Sequence, residues 1–287
     1  MSVVQDTSAT FHMPAVAGLR RLALRVRDLD AVAGFYTDAL GLPARVRGAG
    51  RVELAPEGGA FTLELLHAPD APARPHPSIG LYHFALLLPD RAALAAVIRR
   101  LAAAGRPADG ASDHRVSEAF YLRDPEGNGI ELYRDRPRAE WPGRDGGVDM
   151  STEPLDVAAL LAEARDPAPL HPATAFGHIH LHVGDLADGE RFYAGALGLD
   201  VTQRSYAGAL FLSAGGYHHH VGVNLWARGR RAPDGAAGLV SYAWSVPAGT
   251  LGSLRAHLDR VGVPHREVGP GIEIRDPAGV AVEVAER

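Results

Sequence analysis

The sequence repeats itself over a distance of about half its length. Residues 26–43, VRDLDAVAGFYTDALGLP, return at residues 183–200 as VGDLADGERFYAGALGLD, an offset of 157. A second pair closes each half: RDPEGNGIEL at residues 123–132 and RDPAGVAVEV at residues 275–284, an offset of 152. Self-similarity at a long period indicates repeated structural units. The 287 residues are therefore expected to form two related halves, each long enough to bury a core of its own.

Hydrophobic periodicity divides each half once more, into two units of the same plan. In the first half, alternating residues predict a strand over residues 21–27, and apolar residues at helical spacing predict a helix that ends at Gly41. Short strands follow, and the order of one strand, one helix and three strands recurs along the rest of the chain. We therefore expect an α+β fold of four βαβββ modules, numbered 1 to 4 along the sequence.

The four modules are expected to form two tandem domains. Residues 1–139 are predicted to be an N-terminal domain with modules 1 and 2, and residues 176–287 a C-terminal domain with modules 3 and 4. Residues 140–175 between them are rich in proline, glycine and charge, with one short helical stretch, and are predicted to be a linker.

The composition restricts the function that the chain can have. A net charge of −5 without any run of lysine and arginine argues against nucleic acid or a membrane surface as a partner. No long apolar run and no signal peptide is visible, so we expect a cytoplasmic protein. Because the chain has no cysteine, histidine and carboxylate groups would have to hold any metal, and 14 histidines are present.

One stretch, DHRVSEAFYLRDPEGNGIELY at residues 113–133, gathers groups capable of chemistry. The Pro, Gly and Asn residues of its DPEGNG segment predict a tight turn that joins two antiparallel strands. Glu131 stands in the second strand between Ile130 and Leu132, where a carboxylate is costly unless a cation lies opposite. The stretch therefore predicts a metal site.

The same stretch resembles the signature of extradiol ring-cleaving dioxygenases, in which a His, an apolar–Tyr pair, Asp-Pro-x-Gly and a metal-binding Glu follow one another. Ser112 departs from it, because that position usually carries Gly, Asn, Thr or a β-branched apolar residue. Nearly the whole chain is similar to two-domain catechol 2,3-dioxygenases of the vicinal oxygen chelate superfamily. The resemblance implies that the modules pair into cup-shaped mixed sheets, with a metal at the floor of a cup.

In that superfamily one ligand lies on the first strand of a module, seven residues before the helix start, and another on the last strand. Counting back places four residues at the first-strand positions: Arg21, His83, His178 and Ser241. Flanking patterns place four others at the last-strand positions: Glu64, Glu131, Asn224 and Glu283. Only the pairing of modules 2 and 3 assembles two histidines and a carboxylate, His83, His178 and Glu131, the facial triad of non-haem Fe(II) oxygenases. The other cup is expected to be vestigial or structural.

The resemblance also implies an acid/base histidine from the late strands of module 3, where residues 215–226 read GGYHHHVGVNLW. If these residues form a strand, His218 and His220 share one face and His219 points the other way, so we expect His220 in this role. His114 and Tyr121 match the positions that hydrogen-bond the substrate.

Two further histidines and two tryptophans also have expected positions. His180 and His182 fall on the face of His178 and could equally line the pocket or make structural hydrogen bonds. Trp226 and Trp244 are expected in the core.

The function that these residues predict is Fe(II)-dependent extradiol cleavage of catechol or a substituted catechol by O₂, with Mn(II) as an alternative metal. A homo-oligomer is left open. Two other functions on the same fold stay open. A glyoxalase-type isomerase or transferase would usually want a fourth protein ligand, where Asn224 stands in place of a glutamate. A drug-sequestering protein, as in bleomycin resistance, would need neither metal nor acid/base residues.

Overall fold

The computed structural model describes residues 10–59, 61–144, 147–164 and 166–287. Four copies of the βαβββ unit are present in these ranges. Module 1 consists of β1 (Gly18–Val26), α1 (Leu29–Gly34), β2 (Ala44–Gly48), β3 (Arg51–Leu54) and β4 (Thr62–His67). Module 2 consists of β5 (Gly80–Leu87), α2 (Arg91–Ala103), β6 (Gly110–Asp113), β7 (Ser117–Arg123) and β8 (Gly129–Asp135).

The second half repeats the plan after a connecting segment. That segment contains β9 (Gly143–Arg144), β10 (Gly147–Val148), β11 (Glu153–Pro154) and α3 (Val157–Leu161). Module 3 consists of β12 (Ala175–His182), α4 (Leu186–Glu190), β13 (Asp200–Gln203), β14 (Ala209–Ser213) and β15 (Val221–Asn224). Module 4 consists of β16 (Gly238–Val246), α5 (Thr250–Val261), β17 (His265–Val268), β18 (Gly271–Arg275) and β19 (Ala281–Glu286). The predicted α+β fold of four modules is confirmed.

Apart from β9 and β10, which pair only with each other, the described strands form two curled mixed sheets, and each of these sheets takes one module from either side of the connecting segment. Over the described ranges, the sheet of modules 1 and 4 has the order β17-β18-β19-β16-β1-β4-β3-β2. The sheet of modules 2 and 3 has the order β11-β6-β7-β8-β5-β12-β15-β14-β13. We call them the 1–4 sheet and the 2–3 sheet. This is the pairing that the ligand chemistry predicted, whereas the domain boundaries at residues 139 and 176 stay a prediction.

Three of the module helices begin where a side chain can accept the first free backbone N–H groups. Asp28, Asp90 and Asp185 precede α1, α2 and α4, and each carboxylate accepts a hydrogen bond from the first turn. In α2 the buried residues are Leu94, Ala95, Val97, Ile98 and Leu101, the spacing that presents one apolar face to the core.

The first helix of each half differs from the prediction in one respect. After α1 and α4 the chain continues into a wider π-helical turn, over Phe35–Ala39 and Arg191–Ala196. These turns direct Tyr36 and Tyr193 into the core, where both are fully buried. Gly41 follows with a φ of 73°, as expected for the residue that ends the helix.

The connecting segment packs against module 2. Strand β11 extends the edge of the 2–3 sheet by pairing with β6, and Arg91 of α2 donates to the carbonyl of Ala159 in α3. Across the described residues, no helix combines the length and the apolar character that a membrane crossing requires.

Candidate metal centre and its cavity

Three neighbouring strands at the middle of the 2–3 sheet bring the predicted ligands together. Strands β5 and β12 run antiparallel, with His83 opposite His180. Strand β8 lies parallel to β5 on its other side, where Glu131 pairs with Ala85. Because side chains two residues apart project from the same face of a strand, the three predicted ligands, His83, His178 and Glu131, meet above β5.

The three side chains are buried and converge on one point. The Nε2 atom of His178 lies 3.1 Å from Oε2 of Glu131, and Nε2 of His83 lies 3.0 Å from the same oxygen. His83, Glu131 and His178 are 5%, 3% and 1% exposed. Nε2 of His83 lacks hydrogen-bond geometry toward the carboxylate, which leaves a buried nitrogen without a partner in the described structure. Two imidazole nitrogens aimed at one carboxylate oxygen fit a divalent metal between them.

The protonation states also suit a metal. Burial acts to raise the pKa of Glu131, but the imidazoles of His178 and His83 hold that pKa well below its usual value. Burial lowers the pKa of His178 to about 4, against the opposing effect of Glu131. At neutral pH the site therefore offers a carboxylate anion and a neutral His178, the states in which these groups bind metal.

A cavity of about 680 Å³ opens in front of His83 and Glu131. His83 and Glu131 lie on its floor, and its outer wall is aromatic, formed by Tyr82, Tyr206, Phe211 and Trp226. A volume of this size is in the range of small-molecule sites, roughly 300 to 1,000 Å³, in which apolar walls and a few polar groups fix the ligand.

His114 and Tyr121, which were expected to hydrogen-bond the substrate, both line this cavity. Nδ1 of His114 lies 2.7 Å from the carbonyl oxygen of Ser151, so it carries the hydrogen, and Nε2 accepts from the Tyr121 hydroxyl at 2.6 Å. Burial and the charge of Glu131 raise the pKa of Tyr121 well above its usual value. The phenol therefore remains protonated beside the carboxylate.

The histidine that joins them is His219 and not His220. His219 lines the cavity, and its ring lies 4.0 Å from that of His178, centroid to centroid. His220 faces away: its Nδ1 accepts from the backbone N–H of Ala214, and its ring packs on Trp244 of module 4. His220, expected as the acid/base histidine, is not among the residues that line the cavity, because strand β15 begins only at Val221 and the alternation rule does not reach residues 218–220. Burial lowers the pKa of His219 well below its usual value.

The last-strand position of module 3 holds a glycine. Glu64, Glu131 and Glu283 pair with the residue two positions beyond the first-strand site of their own module. In module 3 the residue two beyond His178 is His180, and its partner is Gly222. A Cβ atom at Gly222 would lie 2.8 Å from the His180 ring. The assignment of Asn224 to this position was wrong, and the space of a fourth ligand is filled by His180.

Other residues follow or depart from the expectations. His180 lines the cavity, whereas Nδ1 of His182 donates a hydrogen bond of 2.6 Å to Oδ1 of Asn224. Trp244 is in the core at 1% exposure, but Trp226 is 38% exposed and belongs to the cavity wall. Trp226 follows the end of β15, outside the strand whose pattern suggested burial.

The second cup, on the 1–4 sheet, is filled by ion pairs. Arg21 contacts Glu64 at 2.8 Å and Glu283 at 2.5 Å, and Arg51 also pairs with Glu64. Among the described residues no group of metal-ligand side chains is found there. A guanidinium thus takes the place that corresponds to the candidate metal site of the 2–3 sheet.

These features agree with the comparison to known proteins. The family model of the Glyoxalase/Bleomycin resistance protein/Dioxygenase superfamily matches residues 18–132 and 175–284. The chain belongs to this superfamily.

Within it, the chain is 42% identical over 268 residues to the catechol-2,3-dioxygenase of Bacillus subtilis (strain 168), a match that covers 90% of this chain and 93% of the relative. It is a dioxygenase-type enzyme of the superfamily, as the sequence predicted. Two solved structures share the fold. One is a Bacillus subtilis protein with a TM-score of 0.66, 17% identity and coverage of 96% of this chain and 86% of that chain. The other is glyoxalase I from Zea mays, with a TM-score of 0.58, 18% identity and coverage of 94% and 92%.

Proposed function

We propose that the chain cleaves the aromatic ring of catechol or a substituted catechol with O₂, in the extradiol manner, at one Fe(II) ion held by His83, His178 and Glu131. The observation that carries the proposal is the ligand set: two imidazoles and one carboxylate meet at a cavity floor, while Gly222 stands where a fourth ligand would project. Three protein ligands leave coordination positions free for a substrate and for O₂.

When bound, the metal would supply open coordination positions for the diol and for O₂, and thus bring the two reactants together. Mn(II) suits the same ligands. The similarity to a relative named catechol-2,3-dioxygenase supports the substrate class.

The side chains around the metal would bind the diol and move its protons. His219 lies against His178 in the cavity and is neutral at physiological pH, so it can accept a proton from a catechol hydroxyl and return it later. Tyr121, kept protonated and donating its hydroxyl hydrogen to His114, has oxygen lone pairs left and can accept a hydrogen bond from a substrate hydroxyl.

The aromatic wall would bind the ring and exclude water from it. Trp226 and Tyr82 lie with their ring centroids 5.5 Å apart at an interplanar angle of 86°. Such a wall stabilises a flat apolar ring by contact area and edge-to-face geometry.

The test is metal reconstitution followed by oxygen measurement. Protein stripped with a chelator is reloaded anaerobically with Fe(II), then mixed with a panel of catechols while O₂ uptake and the absorbance of the yellow ring-opened semialdehyde are followed. We expect one O₂ per catechol and no activity before reloading. An intradiol product, or turnover without O₂, would contradict the proposal.

The same preparation separates the two other functions of this fold. A glyoxalase-type enzyme would convert a thiol adduct of an α-keto aldehyde without O₂, and a sequestering protein would bind aromatic ligands equally well with and without metal.

A further inference from the structure

A carboxylate on the metal-ligand strand contacts the histidines of module 3. Glu131, Tyr133 and Asp135 project from one face of β8, since they are two residues apart. Oδ1 of Asp135 lies 3.0 Å from Nε2 of His218, and Nδ1 of His218 lies 2.8 Å from Nδ1 of His219. The chain of contacts thus ends at the cavity histidine.

The chemistry of these groups fixes where the hydrogens lie. A carboxylate can only accept, so Nε2 of His218 carries a hydrogen and donates it to Asp135. In a neutral His218 the other nitrogen, Nδ1, then has a lone pair and accepts from Nδ1–H of His219. The hydrogen of a neutral His219 is therefore on Nδ1, and the lone pair of Nε2 is left for the cavity.

We propose that Asp135 and His218 are positioning residues that hold His219 in the tautomer whose Nε2 can take a proton from the substrate. This inference rests on the proposed function for the use that is made of Nε2. Neither residue is among those that line the cavity, and His218 is fully buried, so both would act through His219.

Neighbouring side chains fix the chain of contacts from Asp135 through His218 to His219, which we call the relay. The Tyr217 hydroxyl donates to Asp135, with distances of 3.0 and 3.2 Å to the two carboxylate oxygens, and lies 2.7 Å from the Tyr133 hydroxyl. The Thr202 hydroxyl donates to the backbone carbonyl of His218 at 2.6 Å. With the carboxylate and the His218 backbone both fixed, the ring of His218 has one orientation that satisfies its two nitrogens.

The first experiment compares Asp135→Ala and Asp135→Asn in the iron-loaded enzyme. Loss of a residue that orients a reacting group typically costs about 10- to 100-fold, so Asp135→Ala should lower kcat by that factor, with KM and iron content little changed. Asp135→Asn keeps one oxygen acceptor and should recover part of the loss. Asp188→Ala, an exposed aspartate of α4 in the same module as His218, serves as the control and should match wild type.

A double variant separates positioning from simple damage. In the background of His219→Gln the relay has nothing left to orient, so adding Asp135→Ala should cause no further fall in kcat. If the second substitution lowers kcat by the same factor as in wild type, the relay is wrong and Asp135 is only structural.

The tautomer is read without any turnover. In protein loaded with diamagnetic Zn(II) and labelled with ¹⁵N-histidine, the His219 signal, assigned by its loss in His219→Gln, should show a protonated Nδ1 and an unprotonated Nε2. In Asp135→Ala, His219 should populate both tautomers or change to the one with the hydrogen on Nε2. The opposite tautomer in wild type would overturn the relay. A wild-type enzyme that leaves catechol intact under O₂ would refute the proposed function alone, because the ¹⁵N measurement still decides the relay.

Discussion

The hydroxyl oxygen of Tyr133 lies 1.7 Å from the point that a Cβ atom at Gly177 would take. Tyr133 is two residues beyond Glu131 on β8, and Gly177 immediately precedes His178 on β12. Strand β5 separates the two, and the small side chain of Ala85 lets the phenol pass over it. A glycine is thus needed at position 177, because the ring of Tyr133, on the strand that carries Glu131, fills the space that a side chain there would take.

Gly177→Ala should displace Tyr133 and, with it, the two neighbouring metal ligands. We expect a stability loss of about 1 to 3 kcal/mol, the usual cost of overpacking, together with weaker metal binding. Thermal unfolding and metal titration measure the two effects. The double variant Gly177→Ala with Tyr133→Phe lacks the overlapping oxygen, so it should recover part of the stability and part of the metal binding. Gly252→Ala, on helix α5 with open space at its Cβ position, is the matched control and should not weaken metal binding.

Three carboxylates at equivalent last-strand positions test which cup holds metal. Glu131→Ala removes the anion between two imidazoles, so metal affinity should fall by more than the ~10- to 100-fold typical of residues that only support a ligand. Glu64→Ala and Glu283→Ala affect the ion pairs of Arg21 and should leave metal content unchanged, with a stability cost. Metal analysis after gel filtration measures the metal content of all three variants. Loss of metal in Glu283→Ala with retention in Glu131→Ala would place the metal in the 1–4 sheet.

Substitution of two adjacent histidines tests which one handles protons. His219→Phe should slow ring cleavage by about 10² to 10⁴, the range for loss of a general acid or base, and keep the iron. His220→Phe should affect the rate far less, because its ring packs on Trp244 outside the cavity. Steady-state kinetics on iron-quantified protein compares the two. A larger rate loss in His220→Phe would return the proton-transfer role to that residue.

The parts of the fold that follow from local sequence pattern could be predicted. The repeat predicted two related halves, and hydrophobic periodicity divided each half into two modules. The distance that the resembling superfamily keeps between ligand and helix start then pointed to His83 and His178. The chemistry of the ligands then selected the pairing of modules 2 and 3, which the strand order of the 2–3 sheet confirms.

The errors arose where a pattern has more than one register. A slip of two residues keeps the same strand face, so the apolar run around Gly222 and Asn224 did not reveal which residue pairs with His180. Alternation also fails outside a strand, and His219 and His220 lie in the turn before β15.

The relay could not be predicted because it depends on contacts between distant parts of the chain. Asp135 and His218 are 83 residues apart and meet only when β8 and the turn before β15 approach in the folded sheet. The one available signal was that Asp135 shares the β8 face of Glu131.

The two halves bury the same tyrosine–aspartate pair, which gives a matched test of stability. The Tyr36 hydroxyl donates to Asp124 at 3.2 Å in the turn before β8, and the Tyr193 hydroxyl donates to Asp276 at 2.8 Å in the turn before β19. Both carboxylates are buried and also accept backbone N–H groups of their own turn.

Tyr36→Phe and Tyr193→Phe should each lower the free energy of unfolding by about 1 to 3 kcal/mol, since a buried carboxylate loses a donor. Only Tyr36→Phe should also weaken metal binding, because the turn that it supports positions Glu131, whereas Asp276 belongs to the sheet filled by ion pairs. Denaturant unfolding and metal titration measure the two quantities, with Tyr206→Phe, whose hydroxyl bonds the exposed Thr152, as the stability control. If both core variants weakened metal binding equally, the turn before β8 would not be what positions Glu131.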